Sequence, residues 1–238
     1  IYVLDKLDND SIRTFLDRKG IDESAFYHDA KAKKVDELLS NPFYLTKLSD
    51  IYINDRSLPN KSELMDRLIA EGFELDENKY SGDLNEQYNS LFKSLETIAF
   101  SMQLMHKYVL EDRTEYQELF DDDIRKLVKQ SGLFKREKTG WSFSHNNFRE
   151  YLAAKKLSRF SKEEAIEVFS CDSFIKPSWV NALGYFAGLE LSWDLQSWLI
   201  DNSPSAIVKF EPDRLDKSKR IETFKRIFTQ YENDRIHF

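Results

Sequence analysis

The chain has one cysteine, Cys171, so it has no internal disulfide, and a reducing compartment, the cytoplasm, is the expected setting. Seven glycines and five prolines over 238 residues are too few for the tight turns of an all-β protein. No apolar run approaches the roughly 20 residues of a membrane span, and no signal peptide is visible, so no membrane partner is expected. There is no excess of positive charge. The net charge is −7, which argues against broad electrostatic binding to nucleic acid. Neither a GxxxxGK[ST] phosphate loop nor a GxGxxG turn occurs, and no GxSxG nucleophile elbow. The four histidines, His28, His106, His145 and His237, lack metal-ligand spacing. Asp121, Asp122 and Asp123 are explained more simply as a helix cap and dipole complement than as a metal site. These absences exclude a complete enzyme of any of the familiar types. The first residue is Ile1 rather than methionine, and the chain reads as a segment of something longer.

What is present is helical. Aromatic residues make up 14% of the chain, enough for a substantial core. Tyr2 to Leu7 predicts a short strand, and Ser11–Lys19 a helix ended by Gly20. A second helix is predicted over Lys31–Ser40. Asn41-Pro42 is a start signal, since asparagine caps and proline loses nothing at the first helical position; the helix runs Phe43–Asn54. Asn60 with Glu63 resembles a capping box for a further helix that stops at Gly72. Residues 73–86 form the best linker candidate. Tyr88 to Val109 keeps apolar residues at spacings of three and four, the longest such pattern. Two short helices near 116–120 and 123–131 then precede strands Leu133–Arg136 and Trp141–Ser144, joined by a turn through Gly140. A helix follows His145. This order of elements is that of a winged helix. Helical segments near 162–169, 177–190, 193–201, 204–210 and 216–230 complete a mainly α chain, with Trp179, Trp193 and Trp198 as packing anchors. Stacked helical pairs are the expected arrangement there.

One residue stands out chemically. His145 lies between a strand and the N-terminus of a helix, where unpaired N–H groups and the helix dipole favour an anion. Spacing alone favours a purely structural histidine, bonded to nearby backbone or solvent; the resemblance that follows raises the functional reading. The segment FSHNNFREYLAAKKL, Phe143 to Leu157, resembles the winged-helix signature of NACHT-type STAND NTPases, matching at Phe143, His145, Phe148, Glu150, Tyr151, Leu152, Ala153 and Ala154. Upstream, LLSNPFYLTKLSDIY, Leu38 to Tyr52, is similar to the Asn-Pro segment of the family's first helical domain, and LPNKSELMDRLI after it fits as well.

The resemblance implies three parts: residues 1–78, the end of the NTPase core and the first helical domain; 79–160, the winged helix; and 161–238, a second helical domain or the start of helical repeats. It implies that Pro42 packs near the adenine and that His145 contacts the ADP β-phosphate and latches a closed, inactive state. ADP or ATP, with Mg²⁺ held by a core outside this chain, is the implied cofactor, bound only weakly by these residues alone. The implied partners are that upstream core, further copies of the chain on activation, and a protein trigger recognised through the C-terminal helices. Antiphage defence or innate immune signalling is the implied setting. The alternative is a DNA-binding winged-helix regulator with helical dimerisation arms, presenting Arg149, Lys155, Lys156 and Arg159 to the major groove.

Overall fold

The computed structural model describes residues 6–74, 84–111, 132–172, 174–186, 189, 193–203 and 217–232, with 118, 122 and 125. These divide into two compact units, Ile1–Leu64 and Met65–Phe238. The domain limits expected at 78/79 and 160/161 both lie inside the second.

In the first unit each helix starts on a side-chain cap. Asp8 accepts from the Ser11 N–H at 2.8 Å and opens α1, Asn9–Arg18, which buries Ile12 and Leu16. Gly20 closes it at φ +67°, a conformation that suits glycine. Asp22 accepts from the Ala25 N–H at 2.6 Å and opens α2, Glu23–Lys33. The helix expected over Lys31–Ser40 is therefore displaced. α2 ends at Lys34 in the left-handed region (φ 57°), and Asp36–Leu38 forms only a 3₁₀ turn. The decisive signal was the Asp22 cap, which starts the helix about two turns before the basic run. Asn41 accepts from the Phe43 N–H at 3.0 Å and opens α3, Pro42–Asp55, as expected. The Asn60–Glu63 capping box is real, with both reciprocal bonds formed at 2.9 and 3.0 Å, and starts α4, Lys61–Glu74.

Gly72 does not stop α4. A Cβ there would sit 3.3 Å from Leu133, so this glycine lets the segment before the wing approach the helix closely. The expected Tyr2–Leu7 strand, the 73–86 linker and the short helices at 116–120 and 123–131 fall wholly or mostly outside the described residues.

The second unit is built on α5, Leu84–Leu104, which starts earlier than its apolar pattern suggested and ends five residues sooner. It packs along α6, Asn146–Leu157, more extensively than any other pair of elements does among the described residues. Leu91, Leu95, Ile98, Ala99 and Met102 supply the buried face of α5. α6 buries Phe148, Tyr151, Leu152, Ala153, Ala154 and Leu157. Ala153 and Ala154 are fully enclosed; their lack of bulk lets neighbouring elements close on the helix from more than one side.

Between these helices in chain order comes a three-stranded antiparallel sheet, β1 (Leu110–Glu111), β2 (Phe134–Arg136) and β3 (Gly140–Phe143), in the order β1-β3-β2. The wing β2–β3 matches the sequence reading, with Phe134 opposite Phe143 and their rings 4.3 Å apart. β1 is an addition: two residues carry no readable strand pattern. Its pairing with β3 requires Gly140, because a Cβ there would lie 1.8 Å from the Leu110 carbonyl oxygen.

α7 (Lys162–Phe169) has a complete capping box between Ser161 and Glu164. A small hairpin, β4 (Ser170–Cys171) and β5 (Phe174–Ile175), then precedes α8 (Val180–Phe186), α9 (Trp193–Asn202) and α10 (Lys217–Glu232). The helix expected over 177–190 is a 3₁₀ turn at Pro177–Trp179 followed by the shorter α8. Trp179 is an anchor as expected, 1% exposed and edge-on to Phe100. Trp198 packs edge-on to Phe169. No helix among the described residues is long and apolar enough to cross a membrane.

Candidate functional site

His145 is the N-cap residue of α6, with extended backbone (φ −131°, ψ 133°). The β3 strand delivers it there, and its carbonyl accepts from the Phe148 N–H at 3.1 Å. Its ring does not cap the helix. Instead it stands edge-on to Phe148, centroids 5.5 Å apart, and is half-buried. Burial first, and the Lys135 ammonium second, hold the imidazole pKa below its ordinary value. At neutral pH the ring is therefore uncharged, with one N–H donor.

Lys135, on β2, was not singled out by motif reasoning, and its only signal was its place in the hairpin. It is exposed and pairs with Glu137 at 3.2 Å. Beside His145, the Ser144 hydroxyl is buried and has no hydrogen-bond partner among the described residues. An imidazole donor, a nearby ammonium and the start of a twelve-residue helix make this corner electropositive. Such a corner can hold an anion. It contains no nucleophile paired with a base, and no group of His, Cys, Asp or Glu suited to a metal exists among the described residues.

The rest of α6 is committed to structure. Arg149 is 4% exposed; its Nη1 donates to the Lys107 carbonyl at 2.8 Å, and its guanidinium lies 4.2 Å from the Tyr108 ring centre. Glu150 accepts from the Asn146 and Asn181 side-chain amides at 2.6 and 3.2 Å. Lys155 donates to Asp66 at 2.7 Å, and Arg159 forks onto the buried Glu96 at 2.7–2.8 Å. Three of the four basic residues in the major-groove alternative are thus engaged within the fold. Arg149 in particular points inward, so α6 is not a free recognition helix.

Pro42 occupies the first position of α3, half-buried. It lines a groove of about 510 Å³ in the first unit, together with Leu7, Phe15, Arg18 and Leu45. The floor is apolar. Asp8 and Asp10 also line it, which favours an uncharged ring over a polyphosphate; among the described residues Arg18 is the one cation lining it. Pro42 and His145 belong to different compact units, and each has its surroundings within its own.

Residues 93–157 match the family described as the winged helix-turn-helix domain C-terminal to NACHT. The match starts within α5 and ends on the last residue of α6, so it spans the sheet and His145. No curated protein matches the chain. With the strand order β1-β3-β2 and two packed helices, the match identifies this part of the chain as a NACHT-associated winged helix.

Proposed function

We propose that this chain is the regulatory part of a STAND signalling ATPase, with His145 as a latch on ADP. The observation that carries the proposal is the electropositive corner at the start of α6, inside the NACHT-associated domain. The residues fit the group. His145 offers a neutral N–H donor, Lys135 a charge, and the helix terminus a dipole, all suited to a β-phosphate. The Pro42 groove lies within the roughly 300–1,000 Å³ usual for small-molecule sites and has apolar walls for adenine. When bound, the nucleotide supplies the free-energy difference between closed and open states, and Mg²⁺ belongs to the core.

A hydrogen bond to a charged group contributes about 1.5–3 kcal/mol. If His145 makes it only in the closed state, it biases that state roughly 10- to 150-fold. Release of this contact on exchange of ADP for ATP would free the winged helix to rotate and copies of the protein to assemble. A cytoplasmic role in antiphage defence or innate immunity, with a protein trigger engaging the C-terminal helices, accords with this reading. The test uses the full-length protein with its NTPase core. His145→Ala should lose co-purifying ADP and raise basal oligomerisation; unchanged nucleotide content and assembly would refute the latch.

A further inference from the structure

α10 turns an apolar side away from the fold. Its inner side is fixed: Thr223 and Ile227 are buried, and Arg226 pairs with Asp201 of α9. On the outer side Ile221 is 47% exposed, Phe224 62% and Phe228 52%. At about 3.6 residues per turn these three side chains share an arc of about 60°. The Phe224 and Phe228 rings lie together, centroids 4.7 Å apart, and form one apolar ridge.

Cations share this ridge. Five of the sixteen residues of α10 are basic and two are acidic, on a chain whose net charge is −7. Lys217 falls inside the apolar arc, and Lys225 stands about 40° beside Ile221. Both lysines are exposed, and neither makes an ion pair among the described residues. Glu222, the acid nearest them in the helix, is taken by Arg226 at 3.2 Å.

We infer that the outer side of α10 docks on an anionic lipid membrane, with the helix lying in the plane of the headgroups. A protein groove deep enough to take Phe224 and Phe228 would also bury the Lys217 ammonium between them, at a large desolvation cost. At a lipid surface the rings enter the acyl boundary while the lysine stems reach back to the phosphates. A second copy of the chain, paired about a two-fold axis, would set these lysines against their own counterparts. Contact of this kind needs no membrane-spanning helix. It is also independent of the nucleotide latch.

The test is co-sedimentation of the full chain with two vesicle types, phosphatidylcholine alone and phosphatidylcholine with roughly 30% phosphatidylserine. Binding is expected on the anionic vesicles only, and should weaken as salt rises from roughly 0.05 to 0.3 M. Phe224→Ser with Phe228→Ser should lower it roughly tenfold, and Lys217→Gln with Lys225→Gln roughly 30-fold. All four side chains are exposed, so neither double variant should lower the melting temperature. Phe174→Ser, at a ring 70% exposed on β5, should bind as the unaltered chain does. Absence of binding, equal binding to both vesicle types, or binding indifferent to the phenylalanine pair would overturn the inference. A dimer in solution that the phenylalanine pair abolishes would assign the face to a second copy and overturn it too. So would phenylalanine-dependent binding of a single-stranded RNA.

Discussion

Replacing Arg159 with alanine isolates the interaction that ties α6 to α5. Glu96 has no solvent exposure, while the Arg159 side chain is 49% exposed and holds it through Nη2 at 2.7 and 2.8 Å. Breaking a fully buried ion pair from one side costs about 3–5 kcal/mol, because the surviving charge stays buried. Arg159 is half in water, and Lys155 and Lys156 also favour the carboxylate, so the cost here should be smaller, about 2 kcal/mol. At the usual scaling for a unit of this size that lowers the melting temperature by about 4–8 °C.

The pH dependence is the sharper part. Burial pushes the Glu96 pKa up despite its cationic neighbours. A carboxyl whose folded pKa is raised contributes stability at low pH and loses it as pH rises through the folded value. Removing Arg159 raises that pKa further. The deficit of Arg159→Ala should then be large at pH 7.5 and shrink as pH falls through the carboxylate range, where Glu96 is protonated in both proteins. Adding Glu96→Gln should restore most of the loss at neutral pH. Urea unfolding at several pH values, with the double-mutant cycle, measures all of this. A deficit independent of pH, or a double variant no better than Arg159→Ala, would refute the reasoning.

Three further outcomes follow from the same geometry. Gly140→Ala should destabilise the winged helix by about 2–3 kcal/mol, seen by chemical unfolding, since a methyl group there overlaps the Leu110 carbonyl. Trp179→Ala, at 1% exposure, should cost about 3–5 kcal/mol in the same assay. His145 should titrate below its ordinary value by NMR, and Lys135→Ala should move it upward. Because its folded pKa is depressed, the histidine should also cost stability as pH falls through the ordinary imidazole range, and His145→Gln should flatten that part of the stability profile.

Helix starts were the most legible features of the chain. Asn41 and Asn60 each accept a backbone N–H of the first helical turn, and that interaction is local. The wing was equally readable from its alternating residues and turn. The motif Phe143 to Ala154 also singled out His145 as a candidate, because eight matched positions carry the information of a whole helix and the residue before it. Distant contacts were hidden. Gly72 looks like a stop in sequence and is a close approach in space, and β1 exists only because β3 lies beside it. The roles of Arg149, Lys155 and Arg159 divide in the same way. Their sequence shows a basic helix, and only packing turns Arg149 inward onto Lys107 and sets the other two against Asp66 and Glu96. Caps, turns and amphipathic periods depend on neighbours a few residues away, so the amino-acid order specifies them directly. Charge pairing, burial and the pKa values that follow depend on elements that meet only when α4, α5 and α6 come together.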